Sequence, residues 1–166
     1  MSKNRSWLKK SIETVLLPEL ERRGYTPAPV KPEEKRGEIG AAFPFGRLRR
    51  SGPRGLEMVE IQLDKHGGAA FRLNLGIAPI QGVTGLLVAH ILQQDVRVHY
   101  LDRSWELLKY PRLWKWFSVW RWPGTPKTKA DYDELVTKVV ALLPEVEALF
   151  REGKRGPHLR EVNRTQ

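Results

Sequence analysis

The stretch LEMVEIQLDKHGGAAFRLNLGIAP, Leu56 to Pro79, holds two alternating apolar runs around a pair of glycines. Val59, Ile61 and Leu63 alternate along the first run; Phe71, Leu73, Leu75 and Ile77 alternate along the second. A period of two is the mark of a strand with one buried face. Residues directly opposite in an antiparallel pair point to the same side, so parity predicts Leu63 against Phe71, Ile61 against Leu73 and Val59 against Leu75. That register leaves His66-Gly67-Gly68 as a three-residue turn, where glycine supplies a left-handed backbone. On the other face it sets Glu60 across from Asn74 and Gln62 across from Arg72. These four are the candidate ligand-binding residues. Covered, they form a hydrogen-bonded site able to orient a ligand; open to water, they are cross-strand pairs worth roughly a few tenths of a kcal/mol each. Catalysis on this face has only Glu60 to draw on as a perturbed titratable group.

Outward from the hairpin, FPFGRLRRSG reads as an irregular edge strand, since Pro44 and Gly46 limit its regularity. Before it, TPAPVKPEEKRGEIG is rich in proline and charge and reads as a loop. Ser6 to Arg23 is an amphipathic helix with Leu8, Ile12, Val15, Leu16 and Leu20 on one side. Pro18 should kink or split it, and Gly24 should stop it. After the hairpin, VTGLLVAHILQQ reads as a helix on the strength of its Leu, Ala and Gln content, and VRVHYLD as a short strand. A final helix is expected from about Lys129 to Arg151, with Thr128 as N-cap and Gly153 as its end. The remainder, KRGPHLREVNRTQ, reads as a polar tail. LLPEL at Leu16 and LLPEV at Leu142 match by coincidence, because their flanks do not repeat.

Tyr110 to Gly124, YPRLWKWFSVWRWPG, carries four of the six tryptophans. As a strand it puts Trp114, Trp116, Trp120 and Trp122 on one face and Lys115, Phe117, Val119 and Arg121 on the other. As a helix, Leu113, Trp116, Phe117 and Trp120 give the spacing equally well; aromatic content favours the strand. Two amphipathic helices need large side chains beneath them, so core is the expected place for this row. The competing reading is a surface on which bases of a single strand stack, with some tryptophans rimming a cleft or a dimer contact.

The chain of 166 residues is expected to form a single α+β domain over 1–152 followed by a flexible basic tail over 153–166. Its lack of cysteine excludes a disulfide scaffold and thiolate metal sites, and fits a cytoplasmic setting. No apolar run approaches the ~20 residues of a membrane span, and the start MSKNRSWLKK lacks the apolar core of a signal peptide, so no membrane partner is expected. The net charge of +10 invites a polyanion. His66, His90, His99 and His158 are scattered without a ligand spacing, and no nucleophile elbow, P-loop or dinucleotide fingerprint follows a strand. Neither metal nor cofactor is expected.

LLPELERRGY before a loop, then GRLRR, then VEIQLDKHGGAAFRLNLGI, resembles the pattern of DUF4304, an uncharacterised bacterial domain family. The matching positions are Gly24-Tyr25, Arg49-Arg50 and Asn74-Leu75-Gly76, with Tyr25 where phenylalanine is commoner. The likeness covers the first half well and the second half loosely. It implies an α+β fold and carries no activity.

The fold expected is therefore α+β: a mainly antiparallel sheet of about four or five strands, with the N- and C-terminal helices packed on one face. The leading functional reading is a non-enzymatic binding or adaptor domain with an unknown partner, protein or polyanion. The alternative is a basic protein binding single-stranded RNA or DNA, with Arg47, Arg49, Arg50, Lys115 and Arg121 for phosphates and Trp114, Trp116 and Trp120 for bases. A third is an enzyme or small-ligand site on the polar face of the hairpin.

Overall fold

The computed structural model describes residues 2–28, 38–85, 88–111 and 113–163. Strands β1 (Thr26–Pro27), β2 (Arg47–Gly52), β3 (Gly55–Leu63) and β4 (Ala70–Ala78) are followed by a small hairpin of β5 (Val83–Gly85) and β6 (Val88–Ile91). Then come β7 (Arg103–Leu107), β8 (Phe117–Ser118) and β9 (Leu159–Asn163). Seven of these make one antiparallel sheet in the order β1-β2-β3-β4-β7-β9, with β8 also on β4. The α+β class holds, with more strands than the sequence suggested.

The β3–β4 register is the one parity dictates: Leu63 faces Phe71, Ile61 faces Leu73, Val59 faces Leu75, Glu60 faces Asn74 and Gln62 faces Arg72. Asp64 closes the turn, its carboxylate accepting from the N–H groups of His66 and Gly68 at 3.1 Å each. Gly67 takes the left-handed backbone, φ +83°. Arg5 then clamps the turn from outside, donating to the Asp64 and Gly68 carbonyls at 2.7 and 2.9 Å.

The apolar face of the sheet is covered by helices from both ends of the chain. At the front, α1 (Lys3–Ser11) runs through a π-helical turn, Ile12–Leu16, into α2 (Leu17–Arg22). Pro18 explains the wide turn. Its ring would strike the Thr14 carbonyl in a regular helix, and the Leu17 N–H reaches back to Ile12 instead. Leu8, Ile12, Leu16 and Leu20 stay buried in one stripe across it. Between the front helices and β2 lies α3 (Glu38–Ala42), a short helix that begins in the last three residues of the segment expected as loop; residues 29–37 of that loop fall outside the described residues.

The single C-terminal helix is instead two, α4 (Lys129–Val140) and α5 (Leu143–Glu152), because Pro144 cannot donate inside a helix and sits in the first turn of the second. The two LLPE segments thus share a local use, each proline opening a helical piece. Thr128 does cap α4, with Asp131 accepting from its N–H at 2.8 Å, and Gly153 ends α5 at φ +73°. Tyr132, Val136, Val139, Val146 and Phe150 join Leu8, Ile12, Leu48, Ile61, Phe71 and Leu73 in one core cluster.

Three further expectations are corrected. VTGLLVAHILQQ is not an α-helix: Val83–Gly85 and Val88–Ile91 form the β5–β6 hairpin, Gln93 and Gln94 enter a 3-10 turn, and Leu86 and Leu87 lie outside the described residues. A Cβ on Gly82 would lie 2.2 Å from the Ile91 carbonyl oxygen, whereas nine residues of helix would separate the two by about 14 Å. VRVHYLD forms no strand. Its Val98–Tyr100 is a 3-10 turn, and Val96, Val98 and Leu101 cover Met58 on the second face of the sheet. The backbone there is satisfied by side chains rather than a ladder, since Arg49 donates to the carbonyls of Gln93, Gln94 and Val96. Finally, the polar tail contains β9, paired with β7 from Arg103 against Asn163 to Leu107 against Leu159. Burial of Leu159 and the His158–Glu145 contact at 2.7 Å tie it down.

Candidate functional site

Two features stand out, a polar pocket on the second face of the sheet and an aromatic ledge beside it. Glu60, Gln62, Arg72 and Asn74, the four residues paired by parity, all line one pocket of about 290 Å³. Ser104 and Glu106 of β7 and His99 of the 3-10 turn complete its polar wall. These three were missed in the sequence. RSWELL alternates Trp105 and Leu107 around Glu106, and that period was the available signal.

The side chains of the pocket form a linked network. Arg72 Nε donates to Gln62 Oε1 at 2.7 Å, Asn74 Nδ2 donates to the same oxygen at 3.1 Å, and Arg72 Nη1 donates to Glu106 Oε1 at 3.1 Å. Glu106 also pairs with Arg160 of β9 and lies 3.7 Å from Lys115 Nζ. Burial pushes the Arg72 guanidinium down, with Glu106 opposing it. Glu60 is only 3% exposed and accepts the Val98 N–H at 3.1 Å. Burial raises its carboxyl above the usual carboxylate range, against the Val98 hydrogen bond and the nearby charges of Arg47, Arg49 and Arg97. A raised carboxyl beside amide groups is suited to hydrogen bonding with a ligand.

The ledge arises from a jump in register along β4. Asn74 faces Glu106 and Phe71 faces Phe117. Three steps along β4 therefore answer eleven along its partner, and eight extra residues loop out between β7 and β8. A hydrogen bond from Lys109 N–H to the Trp114 carbonyl, 2.6 Å, closes this excursion. Phe117 shares the helix-covered face with Phe71, and its neighbour Trp116 packs on Arg72, 5.1 Å from ring centroid to guanidinium.

Here the expectation of a tryptophan core fails. Trp114, Trp120 and Trp122 are 60%, 66% and 72% exposed, and Trp116 is half-buried. The strand is two residues long, so it presents no continuous face, and Trp105, Leu107 and Phe117 already fill the core at this edge. Trp120 and Trp122 meet edge to face at 5.0 Å. Between the ledge and α4 runs a groove of about 620 Å³ with Phe117, Leu135 and Leu142 among its apolar residues and Tyr110 and Trp120 beside them.

The arginines expected to touch phosphate are distributed differently. Arg49 is buried under the 93–96 segment that it holds. Arg50 faces the helices, where it donates to Glu57 at 2.8 Å, to Glu147 at 2.8 Å and to the Arg23 carbonyl at 2.7 Å, stacked over Tyr25. Both are scaffold. Arg47 is half-buried, directly opposite Glu60 in the β2–β3 register. Lys115 and Arg121 do lie on the ledge, Lys115 near Glu106 and Arg121 paired with Asp131, whose carboxyl it holds below the usual range. Among the described residues no helix is long and apolar enough to cross a membrane. No protein-family model, curated protein or solved structure matches this chain.

Proposed function

We propose that the protein is a non-enzymatic binding module that meets its partner on the aromatic ledge, and that this partner is a single-stranded nucleic acid. One observation carries the reading: Trp114, Trp120 and Trp122 offer their rings to solvent on a chain of net charge +10. Each base stacked on such a ring contributes roughly 1–3 kcal/mol whatever its identity. Lys109, Lys115 and Arg121 stand among the rings: Lys109 donates to the Ser118 carbonyl, while Lys115 and Arg121, paired with Glu106 and Asp131, keep their own side chains exposed enough for a phosphate to compete. A cytoplasmic setting and kinship with DUF4304, resting on the three short motifs, belong to the same reading.

The test is tryptophan fluorescence during titration with mixed-sequence single-stranded RNA at about 50 and about 200 mM salt. Three phosphate contacts imply a slope of about −2 in log K against log salt, so affinity should fall about 20-fold between the two. Fluorescence that ignores the RNA at both salts overturns the reading. The apolar floor of the groove beside α4 favours a second reading, an apolar segment of a protein partner seated against Phe117, Leu135 and Leu142. In that case the RNA leaves the tryptophans unquenched.

A further inference from the structure

The amide orientations in the polar pocket are set by chemistry rather than choice. Arg72 has donors only, so the Gln62 atom 2.7 Å from its Nε must be the carbonyl oxygen. The Asn74 atom 3.1 Å from that same oxygen must then be its NH₂. What remains for a ligand follows directly. Among the described residues the Gln62 NH₂ donates to no protein atom and the Asn74 carbonyl oxygen accepts from none. One Glu60 oxygen is taken by the Val98 N–H, which leaves the second as an acceptor on a residue that lines the same pocket. The open groups on neighbouring strands are thus a donor and two acceptors.

We propose that this pocket binds a neutral, planar heterocycle with a lactam edge, a ring C=O beside a ring N–H, as in uracil-type bases. The ligand C=O accepts from the Gln62 NH₂, and its N–H donates to the Asn74 oxygen or to Glu60. Neutrality follows from the charges. The charges of the wall already have opposite charges beside them, Arg72, Arg160 and Lys115 around Glu106 and Arg47, Arg49 and Arg97 around Glu60, so the groups left open for a ligand centre on the uncharged amides of Gln62 and Asn74. Size points the same way. At about 290 Å³ the pocket lies at the small end of ligand sites, about 300–1,000 Å³, and suits one ring rather than a dinucleotide. Trp116, stacked on Arg72, holds the guanidinium in the wall.

The site stands on its own residues and does not need the ledge to bind nucleic acid. Its test uses the full chain with free nucleosides, read by calorimetry and thermal shift. Uridine carries the lactam edge, adenosine is a neutral base without one, and orotate is a charged analogue. Uridine should bind saturably, with adenosine and orotate at least about tenfold weaker, the cost of an unmatched buried polar group. Asn74→Ala and Gln62→Ala should each weaken uridine by about tenfold. Both side chains are half-buried, and circular dichroism confirms that the variants are folded. The proposal is overturned if uridine shows no saturable binding, if adenosine binds equally well, or if both folded variants bind uridine as the parent does.

Discussion

Arg50→Met separates a scaffold arginine from a contact arginine. The guanidinium is shared among Glu57, Glu147 and the Arg23 carbonyl, and it lies 4.4 Å from the Tyr25 ring centroid. Glu57 is the partner with most to lose, since only 2% of its side chain is exposed. Stranding one member of a buried pair costs about 3–5 kcal/mol, and the lost contact with Tyr25 adds up to about 2. Methionine keeps the apolar stem and returns part of this, so the net loss should be about 3–5 kcal/mol. The double variant Arg50→Met/Glu57→Met removes the stranded charge as well and should recover most of the loss. Urea denaturation followed by circular dichroism reads both: with m of about 1–3 kcal/mol/M, the single variant's midpoint should drop by about 1–5 M and the double variant's by much less. An Arg50→Met chain of unchanged midpoint that binds RNA poorly would refute the argument and return Arg50 to the contact surface.

Other substitutions divide along the same line. Trp105→Ala should cost about 3–5 kcal/mol, because its ring lies in the core, whereas Trp114→Ala and Trp122→Ala should stay within about 0.5 kcal/mol of the parent; equal losses at all three would contradict the placement of the ledge. Glu60 should penalise stability as pH rises. Its folded carboxyl binds a proton more readily than the unfolded one, so the penalty grows from the unfolded pKa of about 4.3 up through the raised folded value. Glu60→Gln should therefore gain on the parent across that window and keep a constant difference above it; parallel stability curves across the window would refute the burial argument. Deleting residues 153–166 removes β9 and should destabilise by about 2–5 kcal/mol, through Leu159 burial and the lost ladder, where a free tail would leave the midpoint unmoved.

The hairpin and its polar quartet were legible in the sequence because parity couples every position of the two strands. Once Leu63 faces Phe71, Glu60 must face Asn74. Whether that face was covered was not legible, since the cover is a 3-10 segment held by Arg49 and Glu60 through side-chain bonds to backbone, which no period reports. Nor was the ledge. Its strand pairs over two residues only, so alternation along WKWFSVWRW had no partner to turn it inward; Phe117, opposite Phe71, is buried in the core and Val119 packs against it from the edge. The basic block misled for a related reason. Arg49 and Arg50 point to opposite faces of β2, and each face happened to offer acceptors. β9 carries too few apolar positions to announce itself, and its anchoring depends on Glu145 of the preceding helix α5 meeting His158.

The central claim, that the exposed rings of the ledge are the contact surface, is tested most directly by anisotropy with a labelled single-stranded RNA of about 12 nucleotides. The parent is compared with the folded triple variant Trp114→Ala/Trp120→Ala/Trp122→Ala at about 50 mM salt. Three lost stacking platforms predict a loss of affinity of at least about 100-fold, with the urea midpoint nearly unchanged. A folded triple variant that binds the RNA as tightly as the parent would contradict the account.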